Sequence, residues 1–211
     1  MELLQKLTLY DLVGYALPGT IFWCLTYWDE INNKLPLTEE GSLKGWVLLI
    51  LIGYVTGILI SEIAERILKK IPARVTIQEF MGELAISEDA MSVALKKANI
   101  LSDGEKMNAS ILKKCIFPIY ANIQTDSSFY RLHNYASAAL LYKNMAIVFA
   151  VYACIMIWNM DIKCIFGILG TILFYGRCKR FDEKKVGYAL CWFVQKYGGN
   201  KNSFDAKGKE V

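Results

Sequence analysis

The chain has 211 residues, 55% of them hydrophobic and 13% aromatic, with a formal net charge of +4. Soluble domains average about 45–50% apolar residues, so this chain is more apolar than a typical soluble domain but the bulk figure does not settle its class, and so mild a charge does not by itself point to DNA. The apolar excess is also uneven: it gathers in four blocks, with segments of soluble composition between them.

The first block, "YDLVGYALPGTIFWCLTYW" from Tyr10 to Trp28, holds no Lys, Arg or Glu. A cleaved secretory signal would open on positive charge and close on small residues. This block follows "MELLQK" and closes on bulky aromatics, so it reads as a retained span with Asp11 capping its start. Pro18 removes one helical hydrogen bond and Gly19 eases the resulting bend. In hydrocarbon such a break needs a neighbour to satisfy the freed carbonyl. The second block, "GWVLLILIGYVTGILIS" from Gly45 to Ser61, carries no charge and contains a GxxxG at Gly53 and Gly57. That spacing lets two helix backbones approach closely. The partner is either another helix of the same chain or a second copy, so Gly53, Gly57, Pro18 and Gly19 are candidate packing and oligomerisation positions.

Residues 62–135 form a charged middle segment that reads as a small helical module. "TIQE" (Thr76 to Glu79) matches a capping box, with Phe80, Met81 and Leu84 behind it. Ser87 before Glu88 and Asp89 starts a second helix, whose Met91, Ala94, Leu95 and Ala98 share a face. "SDGE" (Ser102 to Glu105) opens a third, with Ile111, Leu112, Cys115, Ile116 and Ile119 in a stripe and Pro118 bending or ending it. The third block runs from Ala136 to Met160, with Lys143 placed to snorkel and Trp158 at the far interface. The fourth, Cys164 to Gly176, is short and either crosses with help from its flanks or re-enters. Residues 177–198 suit a basic amphipathic helix, lying on the inner membrane face or packed on the module, and 199–211 form a polar tail read as disordered.

Basic residues follow the second span (Arg66, Lys69, Lys70, Arg74) and the fourth (Arg177, Lys179, Arg180, Lys184, Lys185), while the other two links are poor in them. The positive-inside rule then places both termini and the module in the cytoplasm. The expected class is all-α, with a first transmembrane hairpin over 1–61, the module over 62–135 and a second hairpin over 136–176. None of the six cysteines sits in a CxxC pair, and they read as small hydrophobes in a reducing compartment.

No catalytic set, metal-ligand spacing or cofactor loop can be assembled around the single histidine, His133, and no enzyme is expected. Four short spans cannot enclose water alone, so an ion pathway would need several copies, with Thr56, Ser61 and Asn144 as lining candidates. Glu62 and Glu65 share a helical face with Arg66 beside them. They are either a proton or cation site or a solvated helix end with an internal ion pair. Lys96, Lys97, Lys113, Lys114 and Arg131 are either a phosphate-binding patch or a solvated cationic face.

The opening "YDLVGYALPG", the second span "IGYVTGILIS" running into a charged helix, and "GRCKRFDEKK" after the last span together resemble the small four-span membrane proteins of bacterial antiphage systems. These are the transmembrane effectors of cyclic-oligonucleotide (CBASS) systems and the accessory membrane proteins of type VI CRISPR loci. The resemblance implies a bacterial inner-membrane homo-oligomer that permeabilises or depolarises the membrane when infection is signalled. The candidate partners it implies are a cyclic oligonucleotide signal or a defence nuclease, and the trigger itself stays open. The alternative it implies is a membrane-anchored accessory or scaffold protein for a cytosolic defence nuclease, making no pore.

Overall fold

A computed structural model describes residues 12–34, 43–68, 81–82, 84, 86–102, 109–124 and 129–198. These residues form a π-helical turn, Leu12–Ala16, and six α-helices: α1 Leu17–Lys34, α2 Leu43–Leu68, α3 Glu88–Lys97, α4 Ala109–Gln124, α5 Phe129–Trp158 and α6 Cys164–Tyr197. No strand occurs among them, and the class is all-α. Asp11, the "TIQE" capping box, most of "SDGE" and the tail after Gly198 lie outside the described residues. The chain divides into two units, Met1–Pro72 with His133–Glu183 and Ala73–Leu132 with Lys184–Val211.

In the first unit, α2 has 26 residues, about 39 Å at 1.5 Å per residue, against a hydrocarbon core of about 30 Å. Two helices are long and apolar enough to cross a membrane, α2 and the Tyr130–Trp158 portion of α5. The first and fourth blocks do not reach that standard on their own. α1 runs from Leu17 through Tyr27, whose φ of −136° breaks the helix, into Asp29 and Glu30. α6 joins its apolar opening directly to the charged run after Gly176.

What surrounds α2 matters more than its length. Its most apolar stretch is only 33% buried within the chain, and Val47, Leu51, Val55, Leu59, Ile63 and Ile67 are all exposed. A core helix of a water-soluble protein would have covered such residues, because contiguous exposed aliphatic surface is rare in water. The opening of α6 is similar: Ile165, Phe166, Leu169, Ile172 and Leu173 are exposed. Along its contact with α5, with Phe166 at the edge of that contact, rings form a continuous ladder. Phe166 meets Phe149 at 5.4 Å, Phe149 meets Phe174 at 5.1 Å, Phe174 meets Tyr142 at 6.0 Å and Tyr142 meets Phe181 at 5.2 Å. Added Cβ atoms at Gly167 and Gly170 would collide with Ala153 and Phe149, so these glycines let the two helices approach closely enough for the rings to interlock.

The link between α5 and α6 turns through Met160, which has a positive φ of 52°. The Asp161 carboxylate then accepts the backbone N–H of Lys163 at 2.9 Å and pairs with its ammonium at 3.4 Å. That backbone hydrogen bond first, with the ammonium adding to it, holds the Asp161 carboxyl below its ordinary value of 3.8. A depressed folded value means the bond's contribution is present above the ordinary value and lost as pH falls through the lower one. The Lys163 amide resonance should therefore titrate with a midpoint below 3.8, and Asp161→Asn should abolish that titration.

The second unit is a small helical core. Ser87 caps α3, its hydroxyl accepting from the Ala90 N–H at 3.1 Å, while Glu88 and Asp89 in the first turn and Lys96 and Lys97 in the last suit the helix dipole. Met91, Ala94 and Leu95 are fully buried, joined by Cys115, Ile119 and Ile123 of α4 and Leu132 at the start of α5. Pro118 lies inside α4 and the helix continues to Gln124. Of the two outcomes expected at Pro118, ending the helix is therefore not the one observed. The end of α6 supplies Ala189, Leu190, Phe193 and Val194 to the same core, with Leu190 and Phe193 at 0% exposure. This part of α6 packs on the module instead of lying on a membrane face. The Tyr197 hydroxyl adds a hydrogen bond to Asn122 Oδ1 at 3.2 Å. Replacing Ser87 with alanine should remove about 1 kcal/mol of stability, read as a lowered unfolding midpoint for this unit.

Candidate functional site

Polar groups in the first unit gather where the π-helical turn and α1 meet α2 and α5. Pro18 has no N–H to offer the carbonyl four residues back, Gly14, and its ring crowds that carbonyl. The backbone widens into the π-helical turn at this point. The freed Gly14 carbonyl accepts a hydrogen bond from Asn144 Nδ2 on α5 at 2.8 Å. Asn144 is fully buried, at 0% exposure. It serves as an internal clamp, which takes it away from any water-lined surface of the chain.

The glycines of α2 face α1. A Cβ at Gly19 would collide with the Gly53 carbonyl, one at Gly53 with Thr20, and one at Gly57 with the Tyr15 carbonyl. The GxxxG surface is therefore covered by the chain's own first helix and is not open to a second copy. Beside the crossing, Trp23 Nε1 donates to Thr56 Oγ1 at 2.9 Å, and the Thr56 hydroxyl donates to the Ile52 carbonyl at 2.9 Å. Tyr15 meets Tyr54 edge to face at 6.2 Å. Thr56 thus holds two helices together, and Ser61 is buried at 8% exposure.

Of the three residues considered as pore lining, Ser61 and Asn144 are buried, and half-exposed Thr56 has its hydroxyl engaged by Trp23 and the Ile52 carbonyl. Glu62 and Glu65 are exposed near the end of α2, and neither forms an ion pair with Arg66 among the described residues. Ile63 and Ile67 of α2, with Ile147, Ala150, Val151, Cys154, Ile155 and Trp158 of α5, line an apolar groove of about 470 Å³.

In the second unit Lys96 is half-buried, and Lys97, Lys114 and Arg131 are exposed. The side chain of Lys113 lies outside the described residues. No described contact draws these cations into one pocket. No group of three or more His, Cys, Asp or Glu that could hold a metal occurs among the described residues. None of the six cysteines is in a disulfide, and burial pushes the Cys191 thiol up.

Two participants were invisible in the sequence. Gly14 contributes through its carbonyl, which no side-chain pattern marks. Trp23 is one of several bulky aromatics closing the first block, and nothing in the sequence marks it as the hydrogen-bond donor between helices. No family model matches the chain, and neither a curated protein nor a solved structure matches it.

Proposed function

We propose that this chain is a multi-pass inner-membrane protein that carries its helical module on the cytoplasmic side, working by binding a partner and not by catalysis. The observation that supports this most is the exposed aliphatic surface of α2 and of the opening of α6. Water would drive such surface together, whereas lipid tails leave it at no cost. The first and fourth blocks complete two hairpins in this reading, the first with its break satisfied internally by Asn144 and the fourth short and held by the aromatic ladder. Both termini then share the cytoplasmic side, as the basic flanks require.

Of the two roles implied by the resemblance to antiphage membrane proteins, the geometry favours the anchored accessory or scaffold over the pore. Asn144, Thr56 and Ser61 are spent on packing, and the outward faces of the spans are apolar. A partner for the module would be a cytosolic defence protein such as a nuclease. A cyclic-oligonucleotide trigger would need the scattered cations Lys96, Lys97, Lys114 and Arg131 to converge with Lys113.

Proteoliposomes carrying the full chain and a potassium gradient test the choice, with a potential-sensitive dye as readout. The anchored role expects a steady potential with and without cyclic oligonucleotides. Collapse of the potential would favour the membrane-disrupting effector. A tag beside Ser102 should react with impermeant reagent only after cells are opened, and labelling of intact cells would overturn the orientation.

A further inference from the structure

The exposed face of α6 changes character along a single unbroken helix. Leu173 closes its apolar stretch, and Arg177 and Arg180 follow at the fourth and seventh positions beyond, on the same stripe of the helix. Both arginines are exposed, and neither forms an ion pair with any described residue, although Glu183 lies one turn further on. The neighbouring cation is engaged differently: the Lys179 ammonium sits over the Tyr175 ring at 5.1 Å. In the proposed bilayer, Tyr175 is the kind of amphipathic aromatic that settles at headgroup level. Behind the stripe, the Cys178 thiol is buried and donates to the Asp182 carboxylate at 3.9 Å, so the helix has a fixed inner side and a fixed outer side here.

We infer that Arg177 and Arg180 form a binding collar for anionic phospholipid headgroups of the inner leaflet, with the acyl chains lying along Leu173, Leu169 and Phe166. The occupant follows from two features. The cationic pair continues an aliphatic surface without a gap, so a ligand that satisfies both must join a phosphate to a hydrocarbon chain. A guanidinium also meets a phosphate with paired N–H donors, which a choline headgroup's own cation opposes. A collar of this kind would hold the helix at one depth and orient the charged segment that follows it.

The inference rests on the proposed membrane embedding, and the two can fail separately. Full-length protein is reconstituted in phosphatidylcholine vesicles containing a minority of phosphatidylglycerol, and the vesicles are floated after a urea wash. Spin-labelled versions of each lipid then report which one is held at the protein boundary. Phosphatidylglycerol should be preferred by about fivefold per arginine engaged. The preference should fall toward unity in the double variant Arg177→Gln, Arg180→Gln and survive in Arg177→Lys, Arg180→Lys, which keeps the charge. Free glycerol phosphate should leave it in place. Equal binding of both lipids by the native protein, an unchanged preference in the glutamine variant, or displacement by free glycerol phosphate would each overturn the collar while flotation still upheld embedding. Failure to float would remove the embedding and the collar with it.

Discussion

Replacing Gly57 with valine should destabilise the chain by about 3 kcal/mol, the upper end of what overpacking a close contact costs. A Cβ at this position meets the carbonyl and Cα of Tyr15, which are backbone atoms and cannot rotate aside. Relief requires the π-helical turn and α1 to back away from α2, and that separation would also strain the Trp23–Thr56 hydrogen bond. An equilibrium unfolding titration in mild detergent measures the cost. Gly176 is the matched control, because it also lies within a helix but nothing stands within 4 Å of an added Cβ. Gly176→Ala should be neutral or should stabilise by up to about 1 kcal/mol through helix propensity. Equal stability of the native protein and the Gly57→Val variant would show that the crossing is looser than described.

Asn144→Leu should cost about 1–2 kcal/mol. It leaves the buried Gly14 carbonyl without its donor, a loss in the range of about 1–3 kcal/mol. Part of that loss is offset, because Asn144 Oδ1 is itself buried without a hydrogen-bond partner and disappears with the side chain. Pro18→Ala supplies the decisive comparison. It restores an N–H four residues after Gly14, so the carbonyl regains a partner within its own helix. Asn144→Leu should then be nearly neutral in the Pro18→Ala background, giving a coupling energy of about 1 kcal/mol between two residues far apart in sequence. Additive costs would mean that Asn144 acts through packing volume and not as the donor Pro18 makes necessary.

Both results bear on function as well as stability. A chain whose span-borne polar groups are spent on holding helices together has few left to conduct ions. On the proposed reading, the same groups give a rigid anchor for a protein that works through its charged module. Vesicle leakage should therefore remain low in Asn144→Leu even as the protein loses stability.

Helical class, the two spanning-length helices and the Ser87 cap were legible in the sequence, since each depends on residues close together along the chain. Hydrophobic periodicity and side-chain caps act over three or four positions. The requirement that Pro18 imposes was legible for the same reason, because a missing N–H is a property of one residue. Which group would meet that requirement was not, for Asn144 lies 126 residues beyond Pro18 and nothing in either segment names the other. Likewise Gly53 and Gly57 announce close packing but not with what, since the same spacing serves a neighbour in the chain or a second copy. The end of α6 shows one apolar face whether it rests on lipid or on the module.

The sequence by itself determined the helical character of the apolar blocks and of the segment Ser87 caps, which faces are apolar and where the backbone would need outside help. Only the tertiary structure decided the partner of each hidden face: α1 over the glycines of α2, Asn144 on Gly14, and Leu190 and Phe193 in the module's core. The reason is physical. Burial of apolar surface is non-directional and rewards any cover of the right area, so local pattern specifies the need for contact, while shape and hydrogen-bond geometry across the fold select the contact that is made.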